Sequence, residues 1–277
     1  MMLFRILVLI TLTSAILGGT AFFAYELYWK PRMLDLEDQR QFRASTPSPP
    51  PDFSLPAFEK ALELQKAGDR EGVRAALTEF LVNYPDSPNL TRAKELLGEL
   101  NHETVFSPSI RTDKTVYTVA PGDSLMKIAA KTKTRAELIY RANNLDSIHL
   151  KVGQQLLVPQ LSIRMEIDRG ANTLTLYNKG AFFKEYPLLS VKTPGLPSSK
   201  PVETKVADNI ALRGSSRVAF GDKSYPEADR RILLATSGVM IRSQPEGTPA
   251  PAGIIVSPGD LDEIFLLVSR GTPVTIH

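Results

Sequence analysis

Apolar positions change their spacing along this 277-residue chain, and each change marks a different kind of element. Residues 6–25 form an unbroken apolar run with no charged side chain, preceded by Arg5 and followed by Glu26, Lys30 and Arg32. A helix of about 20 residues spans about 30 Å, the thickness of a bilayer's hydrocarbon core. Phe22, Phe23, Tyr25, Tyr28 and Trp29 gather at its far end, where amphipathic rings favour the membrane interface. The pattern predicts a transmembrane signal anchor over residues 1–29. A signal peptide cleaved near Gly19-Thr20-Ala21 is the alternative. Arg5 on the short leading tail predicts that everything after Trp29 lies on the extracytoplasmic side.

Residues 30–53 are polar, and Ser45-Thr46-Pro47-Ser48-Pro49-Pro50-Pro51 predicts an extended polyproline II spacer. Over residues 54–104, Leu62, Val73, Leu77, Phe80, Leu81, Leu96, Leu97 and Leu100 recur at helical intervals. Breaks at Gly68-Asp69 and at Tyr84-Pro85-Asp86-Ser87-Pro88 divide them into three helices, with Ser87 as the expected cap of the third. After a short linker, residues 115–160 read as strand, turn, two short helices (124–130 and 134–142) and strand. Residues 162–277 are rich in β-type runs: Arg164-Met165-Glu166-Ile167-Asp168 and Thr173-Leu174-Thr175-Leu176-Tyr177 alternate as half-buried strands do. The fold class is therefore α+β and multidomain: a transmembrane helix, a helical hairpin subdomain, a βααβ module and a mostly-β C-terminal domain.

Composition sharpens this picture in three respects. Hydrophobic residues make up 43% of the chain, enough for folded cores. The net charge of +3 is scattered, which argues against a nucleic-acid face. There is no cysteine, so disulfides, thiolate metal sites and thiol nucleophiles are excluded. The three histidines, His102, His149 and His277, fall in different segments, and neither Gly-x-Ser-x-Gly nor His-Glu-x-x-His occurs. No metal or cofactor is expected.

The segment Tyr117-Thr118-Val119-Ala120-Pro121-Gly122-Asp123-Ser124-Leu125, closed by Val152-Gly153-Gln154-Gln155-Leu156-Leu157-Val158-Pro159, resembles a LysM (lysin motif) module, a family that binds the N-acetylglucosamine-containing glycan of cell walls. The resemblance implies a shallow groove with Gly122, Asp123, Ser124, Leu125 and Met126 on one wall and Ile148, His149 and Leu150 on the other. Backbone and hydroxyl groups there would meet acetamido groups, and Leu125, Met126 and Ile148 would meet the methyl and ring faces. Ser124 and Met126 depart from the threonine and aromatic residue frequent in the family. The spacing of Ala61-Leu62, Gly68-Asp69, Ala75-Ala76-Leu77, Phe80 and Tyr84-Pro85 is similar to a short tetratricopeptide-like hairpin, which implies a spacer or a partner-binding segment.

Ile254-Ile255-Val256-Ser257-Pro258-Gly259-Asp260-Leu261, followed by Gly271-Thr272-Pro273-Val274-Thr275-Ile276, resembles the end of an L,D-transpeptidase catalytic domain. In register, that family's Ser-His-Gly-Cys falls on Ala250, Pro251, Ala252 and Gly253, its arginine on Ile255 and its upstream histidine on Arg242. The implied acyl-enzyme chemistry needs a thiolate and a base. Gly253 supplies no nucleophile, and the guanidinium of Arg242 stays protonated. Arg242 with Glu246 forms either a surface ion pair or a clamp for a wall peptide. The expected protein is a single-pass protein of the bacterial cytoplasmic membrane that binds peptidoglycan through the LysM-like segment and carries a non-catalytic L,D-transpeptidase-like domain. Two alternatives are an active transpeptidase-type enzyme with an unrecognised nucleophile, and an envelope scaffold that recruits partner proteins through the helical segment.

Overall fold

The computed structural model describes residues 14, 17–33, 35–36, 52–197, 200–236, 238–244, 247 and 251–277. Most of the first half of the apolar run, and the proline-rich spacer, lie outside these residues. The described part near the N-terminus is helical, with a π-type turn at Tyr25–Trp29. Among the described residues, no helix is long and apolar enough to cross a membrane.

Phe53–His277 form one compact unit. It begins with helices α1 (Leu55–Lys66), α2 (Arg70–Asn83) and α3 (Leu90–Phe106). Phe58, Ala61, Val73, Leu77, Phe80, Ala93 and Leu97 close on one another because their spacing keeps them on facing stripes. Asp69 caps α2 by accepting the Gly72 N–H at 2.9 Å. The expected cap of α3 falls elsewhere: Asn89 is the N-cap, and Ser87 Oγ instead accepts the Asn89 N–H at 3.0 Å. Pro88 lies between them and closes the turn before the helix starts.

The βααβ module follows as β1 (Lys114–Thr118), α4 (Leu125–Thr132), α5 (Ala136–Ala142) and β2 (Gln155–Pro159). The two strands pair antiparallel from Lys114↔Pro159 to Thr118↔Gln155. Ile128, Ile139, Leu156 and Val158 are fully buried between them and the helices.

Among the described residues, ten strands, β3 (Ile163–Asp168), β4 (Thr173–Asn178), β5 (Ala181–Pro187), β6 (Ser190–Lys192), β7 (Val202–Arg213), β8 (Ser216–Arg217), β9 (Asp229–Leu234), β10 (Met240–Ser243), β11 (Gly253–Val256) and β12 (Pro273–Ile276), build the C-terminal part. Their order is β5-β4-β3-β12-β7-β9-β10-β11-β6, with β8 on β7. The long β7 joins the two halves: its first residues pair with β12, and those from Val206 onward pair with β9 across an irregularity at Val206/Asp208. Helix α6 (Pro258–Leu267), capped by Ser257 Oγ on the Asp260 N–H at 3.1 Å, presses Leu261, Ile264 and Phe265 into the core.

The segments read separately in the sequence share one interior. Val105 of α3 and Leu138 of α5 belong to the same buried cluster as Met165, Ile232 and Ile254 of the sheet. Strand β5 ends the sheet, and α3 covers it. Buried Asn101 donates from Nδ2 to the Phe182 and Phe183 carbonyl oxygens at 3.2 and 3.0 Å, while Lys94 pairs with Glu185 at 2.7 Å. An exposed edge strand is a template for unwanted pairing, and the covering helix removes it. Asn101→Ala deletes both amide bonds at this edge and is expected to lower the unfolding free energy by about 1–3 kcal/mol, read from urea denaturation midpoints.

Candidate functional site

The turn after β1 and the loop before β2 leave the same end of the two-stranded ladder, where the Val119 N–H donates to the Gln154 carbonyl and the Gly153 N–H to that of Val119. The ladder therefore brings together the two groups of residues named from the sequence. Gly122 holds φ +79°, a left-handed conformation that favours glycine in so tight a turn. Asp123 braces the turn: Oδ2 accepts the Tyr117 hydroxyl at 2.8 Å and the Ala120 N–H at 2.9 Å, and Oδ1 accepts Lys131 Nζ at 2.7 Å. The Lys131 ammonium and these donors hold the carboxyl down to about 2. Its hydrogen-bonding capacity is largely spent inside the protein.

Ser124 caps α4 by accepting the Lys127 N–H at 3.3 Å, and it stays exposed. Leu125 is buried in the module's core and supports the turn from below. Its burial leaves Met126 (62% exposed) and Ile148 (40% exposed) as the apolar surface. His149 is exposed, with its backbone N–H on Ser147 Oγ at 3.1 Å, and Leu150 packs half-buried on the core.

The module rests against the C-terminal sheet through a buried charge cluster that the sequence did not announce. Glu137 of α5 accepts Arg230 Nη2 at 3.0 Å and the Tyr225 hydroxyl at 2.5 Å, and Arg230 also binds Asp262. Burial and the neighbouring carboxylate push the Tyr225 hydroxyl up to about 12. The Arg135 guanidinium lies 4.5 Å over the Phe265 ring, and Tyr140 meets Phe220 edge-on. Glu137 and Arg230 are 93 positions apart, so no local spacing pattern links them.

The positions aligned with the transpeptidase motif lie mostly together on the other face of the sheet. Ile241, Ile254 and Val256 enter the core, so by strand alternation Arg242, Gly253 and Ile255 face away from it. Arg242 lies opposite Ile255 in a parallel ladder and opposite Arg231 in an antiparallel one. Arg242 Nε is buried without a hydrogen-bond partner among the described residues, and Ile255 is fully buried. Gly253 holds φ +124°, and a Cβ there would stand 2.8 Å from the Met240 carbonyl oxygen. Pro251 precedes β11 and is half-buried. Ala250 and Glu246 lie outside the described residues, and the expected Arg242–Glu246 pair with them. The histidines do not converge: His102 on α3 sits 3.8 Å from Glu263, His149 is in the groove loop, and the His277 N–H ends the sheet on the Ile167 carbonyl. Among the described residues, no group of three or more His, Cys, Asp or Glu side chains is arranged to hold a metal ion.

Residues 117–159 match the family model of the LysM domain. The matched span runs from the middle of β1 to the end of β2 and includes both walls of the groove. No curated protein matches the chain. Solved structures similar to it include an L,D-transpeptidase from Mycobacterium smegmatis (18% identity, 46% of this chain and 64% of that one, TM-score 0.30). Others are L,D-transpeptidase 1 from Mycobacterium tuberculosis (14% identity, 45% and 66%, TM-score 0.29) and an L,D-transpeptidase from Mycobacterium tuberculosis H37Rv (12% identity, 59% and 90%, TM-score 0.31). The chain spans just under two thirds of the length of the first two. Overlaps of this size carry no argument about activity.

Two expectations follow for the LysM turn and for the β11 position. Because the Asp123 carboxyl is lowered from its ordinary value near 4 to about 2, its contribution to folding is complete above that ordinary value. It is lost as pH falls through about 2. The stability gap between the protein and Asp123→Asn should thus be open at neutral pH and close on acidification, as measured by urea midpoints across that range. At Gly253 the strain of a side chain costs on the order of 1–3 kcal/mol. Gly253→Ala and Gly253→Cys should both lower the unfolding free energy by that amount, read from urea midpoints, because the conflict is with Cβ and not with sulfur.

Proposed function

We propose that this chain is a cell-wall-associated envelope protein that holds peptidoglycan glycan in its LysM groove and forms no acyl-enzyme. The observation that carries the reading is the LysM match over residues 117–159, in which the turn at Gly122 and Asp123 is complete and Met126 and Ile148 present apolar surface beside it. Exposed backbone and the Ser124 hydroxyl meet the polar edge of an N-acetylated sugar, and the two apolar side chains meet its methyl group and ring face.

The C-terminal domain is read as a degenerate L,D-transpeptidase-like domain that binds or braces. That reading rests on chemistry more than on fold likeness. The chain has no cysteine, and at Gly253 the backbone conformation and the Met240 carbonyl disfavour any side chain. Arg242 offers a permanent cation where acyl transfer needs a base. In this reading the apolar residues 6–25 anchor the protein as a single-pass segment in the bacterial cytoplasmic membrane and the rest stands on the extracytoplasmic side.

The full chain, solubilised in detergent, should sediment with purified peptidoglycan, and Gly122→Trp should leave most of it in the supernatant. His149→Asp tests the opposite wall at an exposed site, where folding is undisturbed. If wild type and both variants all remain in the supernatant, the glycan reading fails. Mass spectrometry of muropeptides after incubation should show no new crosslink and no trimmed stem; either product would establish turnover.

A further inference from the structure

The loop wall of the groove leans on a corner of the C-terminal domain. Between β8 and β9 the chain turns over residues 219–222, where the Asp222 N–H donates to the Ala219 carbonyl oxygen at 3.1 Å and Gly221 holds φ +99°. Both ends of this turn are fixed. Before it, the Val218 N–H donates to the Ala211 carbonyl oxygen on β7 at 2.9 Å; after it, Asp222 Oδ1 accepts the Ser224 N–H at 2.8 Å and the Ser224 hydroxyl at 2.7 Å. Tyr225 then enters the buried charge cluster through its hydroxyl on Glu137.

Phe220 and Gly221 carry this corner onto the LysM module. Phe220 is half-buried against the module's core cluster, edge-on to Tyr140 and to Tyr225 with ring centres 5.5 Å apart in both pairs. A Cβ on Gly221 would stand 3.1 Å from Ile148 Cδ1 and 4.0 Å from its Cγ2, so the glycine backbone lies against the apolar side chain of the loop wall. On the opposite wall, Met126 lines one recess with Ala219 and Phe220. The corner thus flanks both apolar sides of the groove. Within the loop wall, the His149 N–H meets Ser147 Oγ two positions back, a tie inside the loop, and Ile148 and His149 are both exposed. Order imposed on such a loop from outside lowers the entropy lost when a ligand binds.

We propose that Phe220 and Gly221 are positioning residues for the glycan groove: seated on the LysM core and braced by the sheet domain, they fix where Ile148 stands opposite Met126. The transpeptidase-like domain then contributes to glycan affinity without touching the sugar. This rests on the glycan reading of the groove and goes beyond it in assigning the C-terminal domain a part in binding.

The test is a double-mutant cycle on the full chain in detergent, with affinity read from sedimentation isotherms on purified peptidoglycan and folding from urea midpoints. Gly221→Ala sets a methyl group against Ile148 Cδ1, the atom that Ile148→Val removes. Gly221→Ala should therefore weaken binding about fivefold in the wild-type background and less than about twofold in the Ile148→Val background. The backbone strain of alanine at φ +99° is present in both backgrounds and should lower both midpoints alike. That split distinguishes positioning from a purely structural role, in which the affinity change would not depend on the Cδ1 atom. Phe220→Ala should also weaken binding about fivefold, and Phe220→Leu, which refills the space, should recover most of the loss. An equal loss for Gly221→Ala in the two backgrounds, or unchanged affinity in Phe220→Ala, overturns the positioning role, and loss of binding in Gly122→Trp then leaves the groove standing. Failure of wild type to bind peptidoglycan removes both readings.

Discussion

The buried pairing of Glu137 with Arg230 ties the LysM helix to the sheet, and the rest of the arrangement depends on it. A buried ion pair adds little net stability over an apolar contact, because both charges must first be desolvated. It does penalise every arrangement that separates the partners, since removing one charge from the other costs about 3–5 kcal/mol. Asp262 on the far side of Arg230 and the Tyr225 hydroxyl on Glu137 satisfy further hydrogen-bonding positions. α5 is therefore held in one position on the sheet, and Leu138, one residue on from Glu137, enters the large core.

With α5 so placed, α4 stands across from β7, and the space between them is a cleft with a defined lining. The helical hairpin is fastened by a different device: Asn101 at the edge strand, Lys94 on Glu185, and Lys184 bridging Glu99 and Glu263 at 3.1 and 3.0 Å. Three segments that resemble independent modules thus behave as one body. A glycan-binding turn in such a body is held at a fixed distance and angle from the sheet, as a flexible linker would not allow.

Elements governed by local spacing were legible without coordinates. The three helices, the βααβ order and the strands Ile163–Asp168 and Thr173–Asn178 follow from periodicity and turn chemistry, and they form with small shifts at the ends. Ser87 was read as the cap, but its hydroxyl closes a turn on the Asn89 N–H and the helix begins at Leu90. At the groove, residue identity located the turn but did not divide the labour within it. Leu125 and Met126 are adjacent apolar residues, yet one is buried and the other exposed, since neighbouring positions on a short helix point about 100° apart.

By itself the sequence determined the chemistry that is available: no thiol, three separated histidines and a turn suited to a LysM module. Those conclusions depend only on which atoms exist. Tertiary structure alone decided that Asp123 braces the turn, that Gly253 leaves no room for a Cβ, and that Arg135, Asn209 and Met126 share one recess. Each of these depends on backbone conformation or on contacts between residues far apart in the chain, and periodicity over a few positions carries no information about either.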